Sequence, residues 1–96
     1  MNIKIQNFGE NLLNRPSGRE AFLMAKAYIF KDIKPSEEIV LDFIEIKVMT
    51  PSWLDEFITG IKSDFNNEIK YINIENPSVS ASLRTILDLF KNPVGS

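Results

Sequence analysis

Six consecutive positions, Ile39-Val40-Leu41-Asp42-Phe43-Ile44, carry apolar side chains everywhere except at Asp42. A half-exposed strand would alternate with period two and a surface helix with period 3.6, whereas a short unbroken run rich in β-branched residues suits a strand covered on both faces. This run is therefore expected to be the central strand, over residues 39–45, of a sheet that the rest of the chain must flank and cover. Ile3 and Ile5 alternate with Asn2, Lys4 and Gln6, which predicts a half-buried strand ending in the turn Asn7-Phe8-Gly9-Glu10. Leu12-Leu13 reads as a short partner strand folding back on it as an N-terminal hairpin. Ile69, Tyr71, Ile72 and Ile74 make a third strand.

Helical patterns follow each of these strands. Ser17 and Glu20 have the spacing of a capping box, so a first helix is expected over 18–31, ended by Lys34-Pro35-Ser36. Thr50-Pro51 starts a second, with Thr50 able to cap free amides and Pro51 at the first helical position, where a missing N–H costs nothing. Its apolar stripe is Leu54, Phe57, Ile58, Ile61 and Phe65, its polar face Ser52, Asp55, Glu56, Thr59 and Ser63, and Asn66-Asn67 ends it. Asn76-Pro77 repeats the cap-then-proline device ahead of Val79, Leu83, Ile86, Leu87 and Phe90, which face one way. The order β-α-β-α-β-α with short loops forces parallel crossovers, so the fold class is a small α/β domain with a central, mostly parallel sheet. One domain is expected over 1–92, with a loose tail at 93–96.

Composition narrows the chemistry. Basic residues are scattered and the formal net charge is −2, which leaves no electrostatic footprint for nucleic acid or a membrane surface. Without cysteine or histidine the chain has no thiolate nucleophile and lacks the commonest general base and metal ligand. Neither GxGxxG nor GxxxxGK[ST] occurs, and no nucleophile stands at a recognisable spacing from a base. No cofactor or metal is implied. The absence of a signal-peptide pattern, of a run near the ~20 apolar residues that span a bilayer and of any disulfide framework predicts a cytoplasmic protein.

Ser17-Gly18-Arg19-Glu20, Ile39-Val40-Leu41-Asp42-Phe43, the run from Met49 through Thr50-Pro51-Ser52-Trp53 to Phe57, and Ile72-Asn73-Ile74 occur in an order that resembles the STAS-like domains of unknown function. These are relatives of the bacterial anti-sigma factor antagonists. The resemblance implies the α/β fold and a non-enzymatic, regulatory role in protein–protein interaction. Its implied partner is a histidine-kinase-like ATPase, an anti-sigma factor or a protein encoded in the same operon. In the antagonists a serine at the start of the helix after the central strand is phosphorylated by the partner kinase. Here that position falls at or beside Pro51, which cannot be phosphorylated, and Trp53 replaces the glycine that usually follows.

The candidate partner-binding or phosphoacceptor residues are accordingly Thr50, Ser52, Trp53, Asp55 and Glu56. Thr50 and Ser52 also read as a cap and a first-turn hydroxyl, and Asp55 and Glu56 as acids that stabilise the positive helix end. Trp53 is either packing at the edge of the stripe or an interface anchor. The alternative function is a small-ligand or nucleotide sensor using the same helix end as an anion site. Asp42, inside an apolar strand, could be a catalytic base but reads first as a structural acceptor for loop amides or for Arg15. On the first helix a second apolar stripe, Leu23, Ala27 and Phe30, lies either under the loop preceding the helix or in a homodimer or partner face.

Overall fold

The computed structural model describes the backbone of residues 1–91 and the side chains of residues 1–88. The expected tail at 93–96 and the facing of Phe90 lie outside the described residues. Strand β3 (Ile39–Asp42) stands in the middle of a three-stranded sheet between β1 (Asn2–Lys4) and β5 (Ile69–Ile72), and both pairings are parallel. Register places Ile3, Leu41 and Tyr71 side by side, and Asn2, Val40 and Lys70 on the opposite face. Ile3, Ile39 and Leu41 belong to the buried core, while Asn2, Lys4, Lys70 and Ile72 are exposed and Val40 and Asp42 half-buried. The expected cover on both faces of β3 is thus corrected. On the open face β3 offers Val40 and Asp42 beside Asn2, Lys4 and Lys70, so only the Ile39 and Leu41 face is buried.

The expected N-terminal hairpin is also absent. Residues 5–8 form a turn of 3-10 helix, Gly9 takes a φ of 126°, and β2 (Asn11–Leu12) pairs not with β1 but in parallel with β4 (Val48–Met49). Val48 N donates to Glu10 O at 3.1 Å and Thr50 N to Leu12 O at 3.0 Å. This ladder sends the chain into two helices that start next to each other, α1 (Arg15–Tyr28) and α2 (Pro51–Asp64). Helix α3 (Pro77–Lys91) is capped by Asn76, whose Oδ1 accepts from Ser78 N at 2.8 Å and Val79 N at 3.2 Å.

Helix α1 begins three residues earlier than the capping-box spacing predicts. Asn14 is the cap, its Oδ1 accepting from Ser17 N at 2.8 Å, with Pro16 in the first turn. Ser17 is thereby released from capping, and its Oγ accepts from Trp53 Nε1 at 3.1 Å. Helix α2 starts as the sequence predicts, with Thr50 as cap and Pro51 at the first position.

The two helices approach closely because two positions lack side chains. A Cβ on Gly18 would run into the Trp53 carbonyl oxygen and stand 3.0 Å from its Cα, and a Cβ on Gly60 would lie 2.6 Å from the Phe22 ring. Around this contact Trp53 and Phe57 stack at 5.2 Å, Phe8 covers Phe57 at 5.4 Å, and Phe30 meets Phe65 at 5.0 Å. One continuous core joins these rings to Ile3, Leu41, Leu54, Ile58, Val79 and Leu83.

Candidate functional site

The turn from β4 into α2 is tied to the chain entering α1. Thr50 Oγ1 donates to Leu13 O at 2.9 Å and accepts from Trp53 N at 3.4 Å, so its one proton is committed to the neighbouring segment. Ser52 is half-exposed and Pro51 exposed. Beside them Arg15 Nη1 donates to Asp55 Oδ2 at 2.7 Å and lies 3.6 Å from Glu56 Oε1, while Asp55 Oδ1 accepts from Thr59 Oγ1 at 2.9 Å. The hydrogen bond to Asp55 is the main cause that holds the Arg15 guanidinium above its usual range, so it stays charged here. The two carboxylates that would crowd an added negative charge already have a cation between them and α1.

Trp53 does not join this surface. It is fully buried, stacked on Phe57 with its indole N–H used by Ser17, and the interface-anchor reading is corrected. The reason is the close passage of α1 at Gly18, which puts the second α2 residue after the proline beneath the first helix. Leu13, which the sequence reading did not single out, is 51% exposed and sits against the cap through its carbonyl. Its signal was the alternation with Leu12, which is buried. The surface at this turn therefore comprises Leu13, Pro51, Ser52 and the Arg15–Asp55–Glu56 cluster.

The stripe Leu23, Ala27 and Phe30 is divided. Leu23 is 48% exposed and Ala27 is exposed, but Phe30 is core. The α1 helix ends at Tyr28, and both Ile29 N and Phe30 N donate to Ala25 O, so Phe30 turns inward from the line of Leu23 and Ala27. Asp42 Oδ1 accepts from Ile44 N at 3.0 Å and Asn73 Nδ2 at 2.8 Å, the loop-amide role, whereas Arg15 lies elsewhere. This bonding ties the turn after β3 to the turn after β5, where Glu45 and Asn73 take left-handed φ values of 63° and 56°.

Among the described residues no group of three or more acidic side chains is placed to hold a metal ion, and no helix is long and apolar enough to cross a membrane. A groove of about 320 Å³ runs between α1 and α2, past Leu23, Lys26, Thr59 and Gly60, and does not include Thr50 or Ser52.

Three helices and a parallel sheet make a small α/β domain of the kind expected of a STAS-like fold. The family model for the STAS-like domain of unknown function (DUF4325) matches residues 25–79, from the last turn of α1 to the first turn of α3, and the chain belongs to that family. Searches of curated proteins and of solved structures give no significant match.

Proposed function

We propose that this domain is a non-catalytic regulatory module that docks on a protein partner through the β4–α2 turn. The partner class suggested by the family resemblance is a histidine-kinase-like ATPase, an anti-sigma factor or an operon neighbour. The observation that carries the reading is the pre-tied surface at the turn. Thr50 is bonded to the Leu13 carbonyl and Arg15 to Asp55, so exposed Leu13 and Pro51 and half-exposed Ser52 are presented on a framework that needs little ordering on binding. Preorganisation of this kind lowers the entropic cost of association. The anion-site alternative draws less support, because Trp53 N already bonds to Thr50 Oγ1 and two carboxylates stand one turn along.

Calorimetric titration of the purified domain against a kinase-like ATPase or anti-sigma protein encoded beside it tests the proposal. Ser52→Asp adds charge next to Asp55 and Glu56, and Leu13→Asp removes the exposed apolar contact. Each should weaken binding at least about tenfold, whereas Lys70→Ala on the open sheet face should leave it unchanged. Affinity unmoved by both turn variants would refute the site.

A further inference from the structure

We infer that α3 clamps the β4–α2 turn through Asn76, Ser78 and Ser82, so that this turn and the first turn of α3 open and close as one coupled unit. The coupling belongs to the fold; its consequence for a partner rests on the docking proposed above.

Strand β4 is two residues long and, among the described residues, has β2 as its one strand neighbour. Val48 N and Thr50 N face that neighbour, donating to Glu10 O at 3.1 Å and Leu12 O at 3.0 Å. In a parallel ladder the residue between them turns its own amide and carbonyl the other way. That residue is Met49, only 3% exposed, so both groups must be paired within the protein. Side chains of α3 do this where another strand would otherwise lie. Ser78 Oγ accepts from Met49 N at 3.1 Å, and the buried Ser82 donates its Oγ to Met49 O at 3.1 Å. Positions 78 and 82 are one helical turn apart on one face, which is why both reach the same residue.

Asn76 joins the two structures. Its Nδ2 donates to Ile46 O at 3.0 Å and Lys47 O at 3.1 Å, on the chain leading into β4. Its Oδ1 accepts from Ser78 Oγ at 2.6 Å as well as from the Ser78 and Val79 amides that it caps. The Ser78 hydroxyl extends the link, accepting from Met49 and donating to Asn76. One side chain thus starts the helix with its oxygen and holds the approach to β4 with its nitrogen, so neither shifts without the other losing bonds. Thr50 follows Met49 directly and caps α2, while its hydroxyl donates to Leu13 O in the β2 segment. The turn is therefore carried between β2 on one side and α3 on the other. Local opening proceeds by contiguous cooperative units, and these bonds define one from the chain before β4 through the turn, together with the start of α3.

Asn76→Asp separates the two roles of this residue, because a carboxylate keeps the helix cap and cannot donate to Ile46 and Lys47. Amide hydrogen exchange of the whole chain reads the result. The Val48 and Thr50 amides should exchange about tenfold faster than in wild type, while those of Ile39 and Val40 in β3 should change by less than about twofold. A general loss of stability would speed both sets alike. Ser82→Ala should speed Val48 and Thr50 about fivefold, and it decides if Asn76→Asp does not fold. Ser80→Ala is the control, since Ser80 Oγ donates to Ile74 O at 2.9 Å rather than to β4, and it should leave both amides within about twofold of wild type. A partner whose affinity falls with Ser52→Asp or Leu13→Asp should also slow exchange at Ser78 and Val79 by about threefold or more in wild type and not in Asn76→Asp. Should neither turn variant alter binding, the docking reading falls, and the exchange pattern still decides the coupling. Val48 and Thr50 amides that move no more than those of Ile39 and Val40 in the folded variants, or a turn-bound partner that leaves Ser78 and Val79 unchanged, would overturn the inference.

Discussion

Gly18→Ala sets two known effects against each other at one atom. In an open helix the change would stabilise, because alanine exceeds glycine in helix propensity by about 1 kcal/mol. Gly18 is instead buried where α1 crosses α2, and an added methyl would meet the backbone of Trp53, 3.0 Å from Cα and 3.1 Å from the carbonyl carbon. Carbon atoms in contact prefer about 3.5–4.0 Å, so the helices must separate by roughly 0.5–1 Å, and no side-chain rotation relieves a backbone obstacle. Overpacking of this sort costs about 1–3 kcal/mol, and the separation also strains the Trp53 Nε1 to Ser17 Oγ bond, worth about 1 kcal/mol. The net expectation is a loss of about 2 kcal/mol, hence a melting temperature lower by about 8–16 °C for a domain of this size. Urea titration should show a lower midpoint with an unchanged slope, the mark of lost stability without altered compactness. A Gly18→Ala protein as stable as wild type, or more so, would refute the claimed backbone contact.

Trp53→Ala should cost about 3–5 kcal/mol by urea unfolding, because the ring is wholly buried on Phe57; a loss under 1 kcal/mol would return Trp53 to the surface. Burial pushes the Tyr71 phenol above its ordinary value of 10.0. The neutral form is thus favoured in the folded chain, so this contribution to stability is complete below pH 10 and is lost as pH rises through the folded value. Stability measured from pH 9 to 11 should therefore fall less in Tyr71→Phe than in wild type, and identical slopes would remove Tyr71 as a cause.

The parts of the fold that were legible in the sequence are those fixed by neighbours within a turn. Thr50-Pro51 marks the start of α2 because the cap, the proline and the amide they serve are at most three residues apart. The central place of β3 follows from its apolar run, and its parallel neighbours from the helices between strands. Legibility fails where two local patterns compete. Ser17 and Glu20 satisfy a capping-box spacing, yet Asn14 wins the cap because Ser17 is wanted by an indole thirty-six residues away. It fails again at β3, where the apolar run hides that Val40 and Asp42 share an open face with Asn2, Lys4 and Lys70 of other strands.

The candidate site shows the same division more sharply. Its identity as a capped turn with two acids was visible in residues 50–56, but its partners were not, since Leu13 and Arg15 come from a segment some forty residues earlier. What joins them is the β2–β4 ladder, in which each strand is two residues long, too short for any period to register. Its hydrogen bonds from Val48 to Glu10 and from Thr50 to Leu12 place the last residue before α2 against the chain that enters α1. From that alignment Arg15 reaches Asp55, Thr50 reaches the Leu13 carbonyl, and Gly18 is brought over Trp53. The same alignment buries the tryptophan and exposes Leu13, so one short non-local pairing decides both which residue is lost to the core and which replaces it on the exposed surface of the turn.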